Sequence, residues 1–256
     1  IRDVAVTGVQ TCALPISDAH SELSTASVSR AILVQADNTS RDTDYMLQVA
    51  TAEPWIAAVV GWLPLDDHPA AMAELDRLAD QRLLKGVRQI AASASFLASD
   101  STRRSLTALA ARGYSLDIAD SWPDMFLETI QVARQIPELT IVIDHLGKPP
   151  RPGSDEFGRW RIAMKDAAEA PNIFMKVSSL TLPGLAFEPM TLAPIWEVAF
   201  ESFGASRLMY GGDWPITVPH GGYQRAWSVY GSLASQLSPA ERADFYSVTA
   251  RTVYRI

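Results

Sequence analysis

The chain has 256 residues, 48% of them hydrophobic and 20% charged, and a formal net charge of −7. That length and balance suit one large globular core. The acidic charge, with no Lys/Arg cluster against it, excludes a nucleic-acid partner, and no apolar run reaches the length of a membrane span. Ile1 to Ser17 lacks the basic-then-apolar pattern of a secretory signal, and the single cysteine, Cys12, excludes an intrachain disulfide. The expectation is a cytoplasmic enzyme acting on a small molecule.

The opening segment stands apart from the rest. Val6-Thr7-Gly8-Val9-Gln10-Thr11-Cys12-Ala13-Leu14-Pro15-Ile16 looks like the reading-frame translation of a common short-read sequencing adapter. Residues 1–17 are therefore expected to be non-native, the domain proper to span 18–256, and the genuine N-terminus to be missing. His20 to Ala26 would be the remnant of a first helix.

From there strand-like and helix-like segments alternate. Arg30 to Gln35 is an apolar run, and Thr43 to Ala52 has its apolar residues at helical spacing. Ile56 to Leu63 is a second buried run, closed by Pro64. A helix is expected from Pro69 through Leu83, with proline in a favourable first-turn position. Leu84 to Ala91 is the third strand. A helix from Ser101 to Arg112 stops at Gly113. Tyr114 to Ala119 is strand four, Pro123 to Gln135 a helix, Thr140 to Ile143 strand five and Phe157 to Glu169 a helix. Ile173 to Leu180, a helix over Leu192 to Phe203, and Arg207 to Tyr210 follow. Two helical segments, Gly222 to Ser235 and Pro239 to Ala250, complete the chain.

Seven near-continuously apolar strands, each followed by a helix, imply a parallel sheet covered on both faces. No Gly-x-Gly-x-x-Gly or Walker-type loop follows any strand, which weighs against a nucleotide-binding open sheet. Seven units are one short of a barrel. The expected fold is thus α/β, a (β/α)8 TIM barrel lacking its native first strand. Exposed edges on the neighbouring strands would follow, unless Asp3 to Val9 substitutes for it.

Two strand ends carry titratable residues into loops: Ile143-Asp144-His145-Leu146-Gly147-Lys148-Pro149 and Tyr210-Gly211-Gly212-Asp213-Trp214-Pro215. That edge of an α/β fold is where chemistry is built, because the strand fixes the residue while the loop exposes it. His145 and Asp213 are candidates for proton transfer, metal binding or both. The bland alternative makes Asp144 and Asp213 caps of their turns. Trp62, Trp122 and Trp214 fall at or just past strand ends, as pocket walls or as ordinary loop packing.

These motifs, with Val34-Gln35-Ala36, Val59-Val60-Gly61-Trp62, Lys85-Gly86-Val87-Arg88 and Lys176-Val177-Ser178-Ser179-Leu180, occur one per strand. Together they resemble the lactonase-like branch of the amidohydrolase superfamily, often called amidohydrolase family 2, which includes fuconolactonase-, rhamnonolactonase- and pyrone-dicarboxylate-lactonase-like enzymes. The resemblance covers the chain from about Ser17 onward. It implies that Asp213 acts as general base or touches a metal, and that His145 polarises the substrate carbonyl or ligates metal. Arg88 and Lys148 would bind a substrate carboxylate or ring oxygens, Trp62, Trp122 and Trp214 would wall the pocket, and His220, in a loop on the same face, would contact substrate. Ser178 and Ser179 carry less weight.

The departures are also clear in the sequence. The superfamily's first-strand His-x-His pair is absent, since Asp18-Ala19-His20 is followed by Glu22. His20 reads as a surface helix residue and His68 as a helix cap. The strand end Ile118-Ala119-Asp120 carries no histidine, and Arg88-Gln89-Ile90 carries no metal-bridging Lys or Glu. One divalent ion at most, zinc or manganese on His145 and Asp213, is implied, with metal-free catalysis the alternative. The resemblance implies hydrolysis of a small sugar or dicarboxylate lactone. Its rivals are a carbon–carbon lyase (decarboxylase), a lactone isomerase, or an inactive fragment.

Overall fold

The computed structural model describes residues 5–7, 16–90, 93–119 and 121–256. Cys12, most of the adapter-like stretch, Ala91 and Asp120 lie outside the described residues. Eight parallel strands pair in chain order: β1 (Ala5–Thr7), β2 (Ala31–Val34), β3 (Ile56–Gly61), β4 (Leu84–Gln89), β5 (Ser115–Ile118), β6 (Ile141–Ile143), β7 (Ile173–Val177) and β8 (Leu208–Tyr210). The sheet curls until β8 comes back within 8 Å of β1, Cα to Cα. Position one is occupied: Ala5, Val6 and Thr7 lie in parallel register with Ala31, Ile32 and Leu33. The edge of β2, expected to be bare without a native first strand, is therefore paired.

Helices cover the outside: α1 (Ile16–Thr25), α2 (Ser40–Ala52), α3 (His68–Arg77), α4 (Ala94–Ala98), α5 (Asp100–Ala111), α6 (Asp124–Gln135), α7 (Asp155–Ala168), α8 (Pro189–Phe203), α9 (Gly222–Leu233), α10 (Pro239–Ala243) and α11 (Thr249–Tyr254). Most start where a short polar side chain accepts from a first-turn amide: Thr39 for α2, Ser99 for α5, Ser154 for α7 and Ser238, in a capping box with Glu241, for α10. Two expectations need correction, and one helix was not anticipated. The cap of α3 is Asp67, whose carboxylate accepts from Ala70 N, while His68 turns its Nδ1 to Ser105 Oγ at 3.2 Å. That helix also ends at Arg77, not Leu83. Finally, α4 had no expectation, because five residues are too few to show a 3.6-residue period.

Strand alternation sorts the side chains into two shells. Leu33, Val59, Val87, Leu116, Ile141, Ile143, Met175 and Tyr210 face outward and merge with the helix faces into one continuous core. Ile32, Val34, Ala58, Val60, Val142 and Met209 form a separate inner cluster, closed by Val253 and Tyr254 of α11. The inward positions of β4, β5 and β7 are different: they carry Arg88, Asp117 and Lys176, all buried.

Candidate active site

The inner charges form one ladder. Tyr254 donates its hydroxyl to Asp117 Oδ2 at 2.7 Å, and Lys176 Nζ bonds the same oxygen at 2.6 Å. Lys176 also lies 2.7 Å from Asp144 Oδ1, while Arg88 Nη1 donates to Asp144 Oδ2 at 3.0 Å. Two carboxylates alternate with two cations, so the buried group is neutral as a whole. That is how ionised side chains are tolerated away from water. Burial works against ionising Asp144, yet Lys176 and then Arg88 outweigh it and hold its pKa at about 2. Burial dominates at Asp117 and pushes its pKa up despite Lys176. Lys176 is raised: burial opposes its charge, but the two aspartates prevail.

At the upper end of the ladder the chain leaves the strands in left-handed backbone. After β6, His145, Leu146 and Lys148 have φ of 57°, 52° and 62°; Ser179 after β7 has 50° and Asp213 after β8 has 46°. Each such non-glycine residue costs about 1–3 kcal/mol, and such residues concentrate where a side chain must be aimed. The β6 turn is held from outside by Trp160 Nε1 donating to Leu146 O and Trp122 N donating to Gly147 O. Gly147, at φ 75°, is required there: a Cβ would stand 2.6 Å from the Phe126 ring. The turn aims the His145 ring inward, where Nδ1 meets Ser178 Oγ at 2.7 Å and Nε2 lies 4.0 Å from Asp213 Oδ1. Burial lowers the His145 pKa against the pull of Asp213 and Asp144, which favours the neutral ring. Val34, Arg88, Asp144, His145, Lys176, Ser178, Gly211 and Asp213 surround a space of about 10 Å³, room for about one water.

Comparison with known proteins agrees with this architecture. The amidohydrolase family profile matches residues 1–256. The chain belongs to the amidohydrolase family. Within it the lactonase-like branch holds its relatives. An L-fucono-1,5-lactonase of Burkholderia ambifaria is 33% identical over 241 residues, 91% of this chain and 82% of that protein. A second L-fucono-1,5-lactonase, from Burkholderia multivorans, is 29% identical over 264 residues, 93% of this chain and 84% of that one. Among solved structures, an amidohydrolase of Burkholderia multivorans with bound zinc superposes at a TM-score of 0.86 and 25% identity, covering 100% of this chain and 99% of its own. The protein is thus an enzyme, a hydrolase of lactonase-like type.

Of the residues singled out in the sequence, this amidohydrolase fold brings Arg88, His145 and Asp213 to one pocket. Lys148, Trp62, Trp122, Trp214 and His220 do not line it. Trp214 is buried, Trp122 packs edge-on against Phe126 at 5.8 Å, Trp62 is half-buried and His220 is exposed. His20 is exposed on α1, stacked on Trp55 at 4.9 Å. Asp144 is no turn cap but the centre of the ladder, and Ser178 is the partner of His145. Asp117, Lys176 and Tyr254 went unread as site residues. For Asp117 and Lys176 the one sequence signal was a charge at an inward position of an otherwise apolar strand; Tyr254, on α11, gave none.

A metal centre does not fit the described residues. Among them no group of three or more His, Cys, Asp or Glu converges, and the two donors that approach, His145 and Asp213, share their pocket with the cations Arg88 and Lys176. No helix among the described residues is long and apolar enough to cross a membrane.

Proposed function

We propose that this amidohydrolase opens a small lactone, of the sugar or dicarboxylate class, by attack of water. The observation that carries the reading is the convergence of His145 Nε2 and Asp213 Oδ1, 4.0 Å apart, on the space of about 10 Å³ that both residues line. At that distance the two groups do not bond each other directly, and a water in the space they line, off the line joining them, would be within hydrogen-bond reach of both. Asp213 takes a proton as the water oxygen bonds to the lactone carbonyl carbon. With Ser178 donating to Nδ1, the neutral His145 keeps its proton on Nε2 and donates it as a hydrogen bond to the developing oxyanion. When the oxyanion collapses, the ring C–O bond breaks and the proton held by Asp213 passes to the leaving ring oxygen. Water and lactone give a hydroxy acid, and both side chains return to their starting state. Arg88 Nε, buried and without a partner among the described residues, is a donor available to a substrate oxygen. The ring itself is too large for the inner space and is assigned to the strand-end rim, with Trp62, Trp122 and Trp214 as walls and Lys148 and His220 as polar contacts. Similarity to two fuconolactonases supports the sugar-lactone choice.

Residues 1–17 are read as non-native, on the strength of their adapter-like sequence, and they contain no histidine. β1 then restores strand pairing without restoring a His-x-His pair, and slow turnover is expected. The test is ring opening across a panel of sugar and dicarboxylate lactones, followed by acid release and product analysis. Asp213→Asn is expected to lower the rate by about 10²–10⁴. Released carbon dioxide or an isomeric lactone as product overturns the hydrolytic reading. A turnover of about 10 per second or more from the 256-residue chain overturns the reading of residues 1–17.

A further inference from the structure

One flank of the barrel carries features that the catalytic face does not use. The two most exposed large apolar side chains among the described residues are Ile162 on α7, at 69%, and Met190 at the start of α8, at 85%. Beside them, α8, α9 and α10 bound a groove of about 570 Å³. Met190, Ala193, Trp196 and Phe200 line it along α8, and Leu233 and Leu237 face them. The α8 positions recur every three or four residues, so they form one stripe along the helix, about 15 Å long at 1.5 Å per residue. Trp196 and Phe200 stack at 5.9 Å and 13°, which gives the stripe a flat, rigid floor. Glu197 and Glu201, both exposed, stand in the same groove, and neither pairs with a cation among the described residues.

The neighbouring helix offers the complement. On α7, exposed Arg161 and Lys165 flank Ile162, and neither pairs with an acid among the described residues. Arg159 is different, already engaged with Glu156 at 2.6 Å. α7 is 14 residues long, about 21 Å, enough to span the stripe. α7 packs directly on α8 within the chain, the helix that floors the groove.

We propose that this flank is a self-complementary dimer interface: the Ile162 face of α7 in one copy seats in the α8–α9 groove of a second copy, and reciprocally. Ile162 covers the Trp196–Phe200 floor, while Arg161 and Lys165 meet Glu197 and Glu201. A surface that presents both halves of the contact closes after two copies under a two-fold axis and leaves no half open for a third. Each copy carries a net charge of −7, so general electrostatics oppose association. Only a local match of opposite charges around an apolar centre favours this face.

The decisive experiment is sedimentation velocity with light scattering on the full chain and four variants, with circular dichroism to confirm folding. Wild type is expected at twice the 27.9 kDa chain mass. Ile162→Asp and the pair Glu197→Lys/Glu201→Lys are each expected to weaken the dimer at least about tenfold. Arg161→Glu/Lys165→Glu, at exposed positions where folding is undisturbed, should weaken it similarly. Combining the two charge reversals in one chain should restore it. A wild type that stays at 27.9 kDa through the micromolar range overturns the proposal. So does a dimer that none of the variants weakens, since its interface lies elsewhere. None of these positions belongs to the catalytic pocket, so the outcome is independent of the lactonase reading.

Discussion

The two halves of the barrel interior are built on different physics. On the β2–β3 side the inward residues are Ile32, Val34, Ala58 and Val60, fully apolar and essentially inaccessible. On the opposite side the inward positions of β4, β5 and β7 hold Arg88, Asp117 and Lys176, with Asp144 just past β6, whose own inward residue is Val142. Both halves are buried. The apolar half gains from every methyl group removed from water and is indifferent to pH. The charged half gains little net stability from its ion pairs, because desolvation consumes most of their attraction. It gives instead a fixed row of alternating charges ending beneath His145. His145 rises from the charged half, where Ser178 supplies a hydrogen-bonded support that an apolar wall cannot, and Asp213 meets it from the end of the neighbouring β8.

The largest effect expected from this contrast follows Lys176→Met. It leaves Asp117 and Asp144 facing each other's field without their shared cation, and unfolding in urea should show a loss of about 3–5 kcal/mol. A loss below about 1 kcal/mol would mean that the ladder is dispensable and that the two halves are equivalent.

The next effect is a pH dependence confined to the charged half. Asp144 has its pKa held at about 2, against about 3.9 in an unfolded chain. Its contribution, about 2–3 kcal/mol, is therefore fully present above the unfolded value and is lost as the pH falls through about 2. Asp117 works in the opposite sense. Its pKa is raised by burial, so protonation favours the native state and softens the loss. Urea midpoints measured from about pH 5 down to about pH 2 should converge for wild type and Asp144→Asn. Parallel curves would show that Asp144 is not depressed.

Ser178→Ala tests the link between the ladder side and the reaction. It removes the 2.7 Å bond to His145 Nδ1 and with it the bias that keeps the proton on Nε2. A fall of about tenfold in kcat with KM unchanged is expected, the value of one hydrogen bond. An equal effect on KM alone would place Ser178 in substrate binding. The smallest effect belongs to the apolar half. Ile32→Val should cost about 0.5–1.5 kcal/mol, equally at every pH, and leave turnover untouched.

Much of the site was legible in the sequence. His145 and Asp213 declared themselves as titratable residues directly after apolar runs, and Arg88 entered only through the family resemblance. The strands and the approximate helix spans followed from apolar runs and helical spacing, whereas the caps Ser154 and Asp67 went unread and the cap of α3 was placed one residue late, on His68. The end of α3 was not legible, because Leu78 and Leu83 continue its apolar pattern while the backbone turns away after Arg77. Ser178 was discounted, since a serine in a strand motif has many bland explanations and its value lies in a contact 33 residues away.

By itself, then, the sequence determined the alternation of strands and helices, the parallel sheet, and the strand ends from which His145 and Asp213 emerge. Those are local properties, set by periods of 2 and 3.6 residues and by turn chemistry. Only the tertiary structure decided that Lys176 meets Asp117 across 59 residues and Arg88 meets Asp144 across 56. It also decided that Ala5–Thr7 takes the place beside β2 and that Ile162 and the α8 groove share one flank. Such pairings depend on curling the sheet through a full turn, which brings distant strands to a common axis and leaves no mark on the residues between them.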